Sequence, residues 1–124
     1  MNRSILIIDD EQTIREALSL FLAGEGYICQ VAKDGEQAIQ KIGEQQFDII
    51  LLDLHMPRHN SLNILEYIKR HRSSSIVIIL SEYFHIDNAS TALQQGASAV
   101  ILKPIDFEEL LEVIDRQTSV DNAN

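Results

Sequence analysis

Five short runs of aliphatic, often β-branched residues recur along the chain: "SILIID" (4–9), "YICQVA" (27–32), "DIILLD" (48–53), "SSSIVIILS" (73–81) and "ASAVILK" (97–103). Most are apolar at successive positions. A strand with one wet face alternates apolar and polar residues, so unbroken runs of this length read as strands covered on both faces. The second run is the weakest, because Gln30 interrupts it. None approaches the ~18 uninterrupted apolar residues of a membrane-spanning helix.

The stretches between the runs have helical spacing. Residues 11–24 put Ile14, Ala17, Leu18, Phe21 and Leu22 on one face, with Gly24 and Gly26 as the stop. Asp34 is placed to N-cap a helix that turns Ala38, Ile39 and Ile42 inward. Residues 61–71 carry Leu62, Ile64, Leu65 and Ile68, and a short helix over 87–95 stops at Gly96. Residues 106–117 open on Asp106 with Glu109 three positions on, the spacing of a capping box. The expected boundaries are a domain over 1–117 and a polar tail, frayed or beginning a linker, over 118–124.

Five strands thus alternate with five helices, and no two-residue hairpin signal separates them. That order specifies βα units, a mostly parallel sheet with helices on both faces, and right-handed crossovers, which make it doubly wound. Ligands of such sheets bind outside the carboxyl ends of the strands, where the strand order reverses.

The 124 residues fit one domain, and 45% apolar content is enough for a core. A net charge of -9 argues against direct nucleic-acid binding by this domain. "MNRSILIIDDEQ" runs straight into acids, so no signal peptide is read there. The one cysteine, Cys29, forms no internal disulfide, is read as a buried bystander thiol, and suits a reducing cytoplasm.

The carboxyl ends carry the chemistry. The first strand ends in Asp9-Asp10 with Glu11 next, the third in Asp53, the fourth in Ser81 and the fifth in Lys103-Pro104. Three carboxylates gathered at one edge repel one another unless a cation joins them. Oxygen ligands without His or Cys favour a hard ion, Mg²⁺ above zinc or copper. Lys103 could pair with Asp53 and then hold a phosphoryl oxygen, and Ser81 could donate to another. Asp53 could then act as a nucleophile towards a phosphoryl donor, giving an aspartyl phosphate.

"ILIIDDE", "DIILLDLHMP", "IILS" and "ILKP", in this order and spacing, resemble a response-regulator receiver domain over about residues 3–117. The resemblance implies a flavodoxin-like sheet in the order 2-1-3-4-5 with five helices. It implies a two-component signalling role in which a histidine kinase or a phosphotransfer protein gives a phosphoryl group to Asp53. It also implies Mg²⁺ held by Asp9, Asp10, Asp53 and the backbone carbonyl of His55, phosphoryl contacts from Ser81 and Lys103, and a cis peptide before Pro104. The family's partner surface is its fourth helix, fifth strand and fifth helix, here residues 87–117, serving as a homodimer face or a dock for an output domain.

Four positions depart from the family pattern. Val100 stands where the family has an aromatic ring that swings inward, and valine cannot make that swing. Glu82 follows Ser81 where a small residue is usual, and a carboxylate there could crowd or repel a phosphoryl group. Arg58-His59-Asn60-Ser61 replaces a turn close to "GMDG", with Asn60 the residue able to tolerate positive φ. His55 occupies the position two after the acceptor, on the path of the hydrolytic water, which bears on phosphoryl lifetime.

Other features have plainer readings. His55 and His59 are separated by Pro57, so no helix aligns them for zinc. "IKRHR" (68–72) reads as a solvated helix end suited to the dipole, with a partner contact as the rival. "EYFHI" (82–86) reads as a local hydrophobic cap, or as a source, in Tyr83 or Phe84, of the missing switching ring. Two other functions compete. One is a receiver-like interaction module independent of phosphorylation, motivated by Glu82 and Val100. The other is a Mg²⁺-dependent phosphohydrolase, weakened because His55 stands where such an enzyme needs a second acid. A dinucleotide-binding enzyme is weaker still, since "IIDDEQ" after the first strand has no glycine loop to admit a pyrophosphate.

Overall fold

The computed structural model describes residues 3–57 and 59–122. In chain order the elements are β1 (Ser4–Ile8), α1 (Gln12–Gly24), β2 (Ile28–Ala32), α2 (Gly35–Glu44), β3 (Ile49–Asp53), β4 (His55–Met56), β5 (His59–Asn60), α3 (Ser61–His71), β6 (Ile76–Ser81), a 3₁₀ turn (Tyr83–His85), α4 (Ile86–Gln94), β7 (Ala99–Leu102) and α5 (Phe107–Asn122). The main sheet has the order β2-β1-β3-β6-β7, and every pairing in it is parallel. Counting only its own strands, this is the expected 2-1-3-4-5.

Two-sided burial follows the period of the strands. Leu6 and Ile8 of β1, Ile50 and Leu52 of β3, and Val77 and Ile79 of β6 pack into one core, with Ala38 and Ile42 of α2, Leu65 and Ile68 of α3, and Ala92 of α4. The alternate residues, Ile5, Ile7, Ile49, Leu51, Ile76 and Ile78, pack into a second core with Leu18 and Leu22 of α1 and Leu110 and Ile114 of α5. Burying each such side chain contributes about 1.5–3 kcal/mol, so unbroken apolar strands stabilise both halves of the sandwich. On the second side, the rings of Phe21 and Phe107 lie 4.7 Å apart and join α1 to the start of α5.

Local signals set the helix ends. Asp34 Oδ1 accepts from the Gln37 N–H at 2.8 Å, as an N-cap does. Asp106 Oδ1 accepts from Glu108 and Glu109 at 2.9 and 3.2 Å, the forward half of the expected box. Gly26 and Gly96 take positive φ, 97° and 107°, just past α1 and α4. Gly24 itself is still helical, so the effective stop of α1 is Gly26.

Three expectations change. α5 runs to Asn122, beyond the boundary expected at Gln117. Thr118 is buried there, and its hydroxyl donates to Ile114 O at 2.9 Å, so the polar composition of this segment does not end the helix. The loop after β3, where no hairpin signal was read, closes as a miniature antiparallel pair, His55 opposite Asn60 and Met56 opposite His59. Asn60 has φ -94°, and its Oδ1 accepts from Leu62 N at 2.9 Å, so it serves as the cap of α3 and takes no positive φ.

Candidate functional site

The register brings the strand ends level. Ile8 lies beside Ala32 and Leu52, Asp53 beside Leu80, and Ser81 beside Leu102. Asp9, one residue past β1, is fully buried. Its Oδ1 accepts from the Glu11 N–H at 2.9 Å, its Oδ2 accepts from Lys103 Nζ at 3.0 Å, and its backbone carbonyl accepts from Arg15 at 2.9 Å. Asp53 closes β3 and is also buried. Its Oδ1 accepts from the His55 N–H at 3.2 Å and lies 3.4 Å from Lys103 Nζ. Asp10 is exposed at the rim.

One carboxylate oxygen from each of Asp9, Asp10 and Asp53 lies within 4.8 Å of the others. This all-oxygen set at close quarters fits a hard divalent cation, which takes carboxylate, carbonyl and water ligands. The β4 backbone at His55 follows directly on Asp53.

The charges are strongly coupled. Burial pushes the Asp53 carboxyl up to about 7, and the neighbouring Asp9 charge pushes the same way; the Lys103 charge and the His55 N–H oppose them. Burial alone would lower Lys103, but the Asp53 and Asp9 carboxylates outweigh it and the ammonium ends raised. Lys103 is nearer to Asp9 than to Asp53, so the lysine expected to pair with Asp53 is shared, with the shorter contact going to Asp9. The Lys103–Pro104 peptide is cis, as expected.

Ser81 is buried, and its hydroxyl donates to the Glu82 carbonyl at 3.0 Å. Glu82 is half-buried and precedes the 3₁₀ turn. Val100 packs against the first core beside Ile79. Tyr83 is 76% exposed, so its ring does not cap the loop. The side chain of Phe84 lies outside the described residues. The ring contact at this edge joins other residues: His55 stacks on His85, centroids 4.3 Å apart and planes 19° apart.

Sequence reasoning missed three side chains that shape the site. Arg15 holds the Asp9 carbonyl, His85 meets His55, and Ser61 donates from its hydroxyl to the Asp53 backbone carbonyl at 2.6 Å. Ser61 was visible only as a residue replacing a glycine, and the contacts of the other two cross between elements. Part of the basic cluster is also less solvated than expected. Lys69 donates to Ser75 O at 3.3 Å and packs its chain on Gly96, and burial lowers its ammonium. Arg72 donates to Ile42 O at 3.0 Å, tying α3 to α2. Cys29 is half-buried, and burial raises its thiol.

Comparison with known proteins agrees with this geometry. Residues 5–115 match the model of the response regulator receiver domain. The transcriptional regulatory protein ZraR of Klebsiella oxytoca is 36% identical over 106 residues, which are 86% of this chain and 24% of that protein. The DNA-binding transcriptional regulator NtrC of Escherichia coli K12 is 32% identical over 120 residues, 96% of this chain and 26% of that protein. The chain thus spans about a quarter of these relatives. Among solved structures, a CheY-like response regulator receiver domain protein from Methanospirillum hungatei JF-1 superposes with a TM-score of 0.94 at 28% identity, covering 99% of this chain and 98% of the other. The receiver domain of NtrX from Brucella abortus gives 0.85 at 30% identity, covering 90% and 95%.

Proposed function

The chain belongs to the response regulator receiver family, and from that premise we propose that Asp53 is its phosphoacceptor and that a histidine kinase or a phosphotransfer protein is the donor. The observation that carries this reading is the gathering of Asp9, Asp10 and Asp53 around one point, with Lys103 against two of them. An Asp53 oxygen attacks phosphorus, and the P–N bond of the phosphohistidine breaks with its electron pair returning to the imidazole nitrogen.

Asp9, Asp10, Asp53 and the His55 carbonyl would hold Mg²⁺. When bound, the ion supplies positive charge that favours the Asp53 carboxylate and the developing charge on the phosphoryl oxygens. Lys103 neutralises Asp53 and then contacts a phosphoryl oxygen. Ser81 contacts another once its hydroxyl leaves the Glu82 carbonyl.

The domain acts as a switch and not as a turnover enzyme. A phosphohydrolase would need an acid two residues after Asp53, where His55 stands. Independence from phosphate has no support in a site whose carboxylates and lysine are all in place. The partner surface is read at residues 87–117, a homodimer face or a dock for an output domain. In support, Leu93 of α4 and Leu102 of β7 stay exposed although apolar, as does the adjacent Ile86. The folded unit is read as running from the start of the chain through α5 and including Thr118, which is buried and bonds back to Ile114 O. No described helix is long and apolar enough to cross a membrane, and the single thiol suits the cytoplasm.

The test is intact-mass spectrometry after incubation with acetyl phosphate and Mg²⁺. Wild type is expected to gain one phosphoryl group and Asp53→Ala none. An undiminished gain in Asp53→Ala, or none in wild type, would overturn the assignment.

A further inference from the structure

The peptide group between Asp53 and Leu54 is held at both polar ends. Its N–H donates to Leu80 O of β6 at 2.9 Å. Its carbonyl accepts from the Ser61 hydroxyl at 2.6 Å. Ser61 is the first residue of α3 and is 2% exposed, so bulk water has no access to take its place. Its hydroxyl is not needed by its own helix, because Asn60 caps α3 through Leu62 N. A serine at a helix start usually serves that helix; this one reaches back eight residues to the end of β3.

From this geometry we infer that Ser61 is a positioning residue for phosphoryl transfer, acting on Asp53 and on the cation loop through the Asp53–Leu54 peptide plane. The inference rests on the reading of Asp53 as acceptor and of the His55 carbonyl as a cation ligand. On one side of the clamped peptide is the Asp53 α-carbon, which aims the carboxylate. On the other side is the Leu54 α-carbon, followed by the Leu54–His55 peptide, whose N–H returns to Asp53 Oδ1 at 3.2 Å. Rotation of that plane would tilt the attacking carboxylate and, through Leu54 and the Leu54–His55 peptide tied to Asp53 Oδ1, shift the start of the loop that carries the His55 carbonyl. Leu80 O restrains the plane from the sheet and Ser61 from α3, so losing the hydroxyl leaves a single restraint. Groups that orient metal ligands from outside typically change metal affinity by roughly 10- to 100-fold when removed, and a small misplacement of a nucleophile slows attack strongly.

The experiment compares wild type, Ser61→Ala and Ser61→Thr. It measures the Mg²⁺ dissociation constant by isothermal titration calorimetry and the phosphorylation rate with acetyl phosphate at saturating Mg²⁺. Thermal melting is recorded in parallel. Ser61→Ala is expected to weaken Mg²⁺ binding about tenfold and to slow phosphorylation even when Mg²⁺ is saturating. Ser61→Thr, which keeps the donor, should restore both towards wild type. A merely structural serine would lower the melting temperature and leave both constants unchanged, and that result overturns the inference. Should Ser61→Ala fail to fold, Ser61→Cys, close in size and a weak donor, takes its place under the same criteria. If wild type binds no Mg²⁺ and accepts no phosphoryl group, the reading of the site falls and the inference with it. If wild type does both and the Ser61 variants match it, only the role of Ser61 falls.

Discussion

At the scale of the residue, Asp53 illustrates a site that works against stability. Its carboxyl is raised to about 7 by burial and by Asp9, despite Lys103. A raised carboxyl binds its proton more tightly when folded than when unfolded. Stability is therefore lost as pH rises from the ordinary carboxylate range towards 7, and the cost is fully present above it. Asp53→Asn should accordingly stabilise the metal-free protein at pH 8, by roughly 1–4 kcal/mol. The gain should shrink steadily as pH falls and vanish near pH 4. Urea denaturation at several pH values checks this; a gain independent of pH would mean that burial and the Asp9 charge are not its source. Residue chemistry was the most legible level of the sequence. Asp9, Asp10, Asp53 and Lys103 end their runs abruptly, and the structure assembles them at one edge. The sharing of Lys103 with Asp9 was not legible, because it depends on a side-chain path across 94 residues of chain.

At the scale of the element, the helices were legible wherever the signal was local. The Asp34 cap and the turn glycines 26 and 96 act within a few residues of themselves. Elements supported from outside were misjudged. α5 continues past Gln117 because Thr118 packs inward and bonds back to its own helix. The β4–β5 pair replaces a loop whose closure no dipeptide announces. These two kinds of support make different predictions. Asp34→Ala should cost about 0.5–2 kcal/mol. In hydrogen exchange its effect should be concentrated at the start of α2, where Gln37 loses its acceptor. Arg72→Ala should cost about 1 kcal/mol, and exchange should rise in α2 although the mutation lies at the end of α3, since Arg72 bonds Ile42 O and Gly43 O.

At the scale of the whole molecule, the edge of negative charge couples ligand to fold. A cation that binds the native carboxylates and not the unfolded chain adds about 2.7 kcal/mol at one hundred times its dissociation constant. Mg²⁺ should therefore raise the thermal midpoint of wild type in a concentration-dependent way, and should raise that of Asp53→Asn less at equal concentration. Equal shifts in the two proteins would place the bound ion away from Asp53. The architecture itself was legible because two-sided strands admit few arrangements. The pairing of His55 with His85 was not, because nothing local links positions thirty residues apart.

The parallel order has a consequence in time. Asp9 and Lys103, in contact at 3.0 Å, are contributed by opposite ends of the chain. A polypeptide emerging from the ribosome carries Asp9 and Asp53 long before it carries Lys103, and β7 must add to the sheet beside β6 before the lysine can meet them. The contact between Asp9 and Lys103 is thus complete only once β7 has joined the sheet. Any ligand that needs Asp9 and Lys103 together would therefore engage only molecules whose five-stranded sheet is assembled, without any separate device to inspect them.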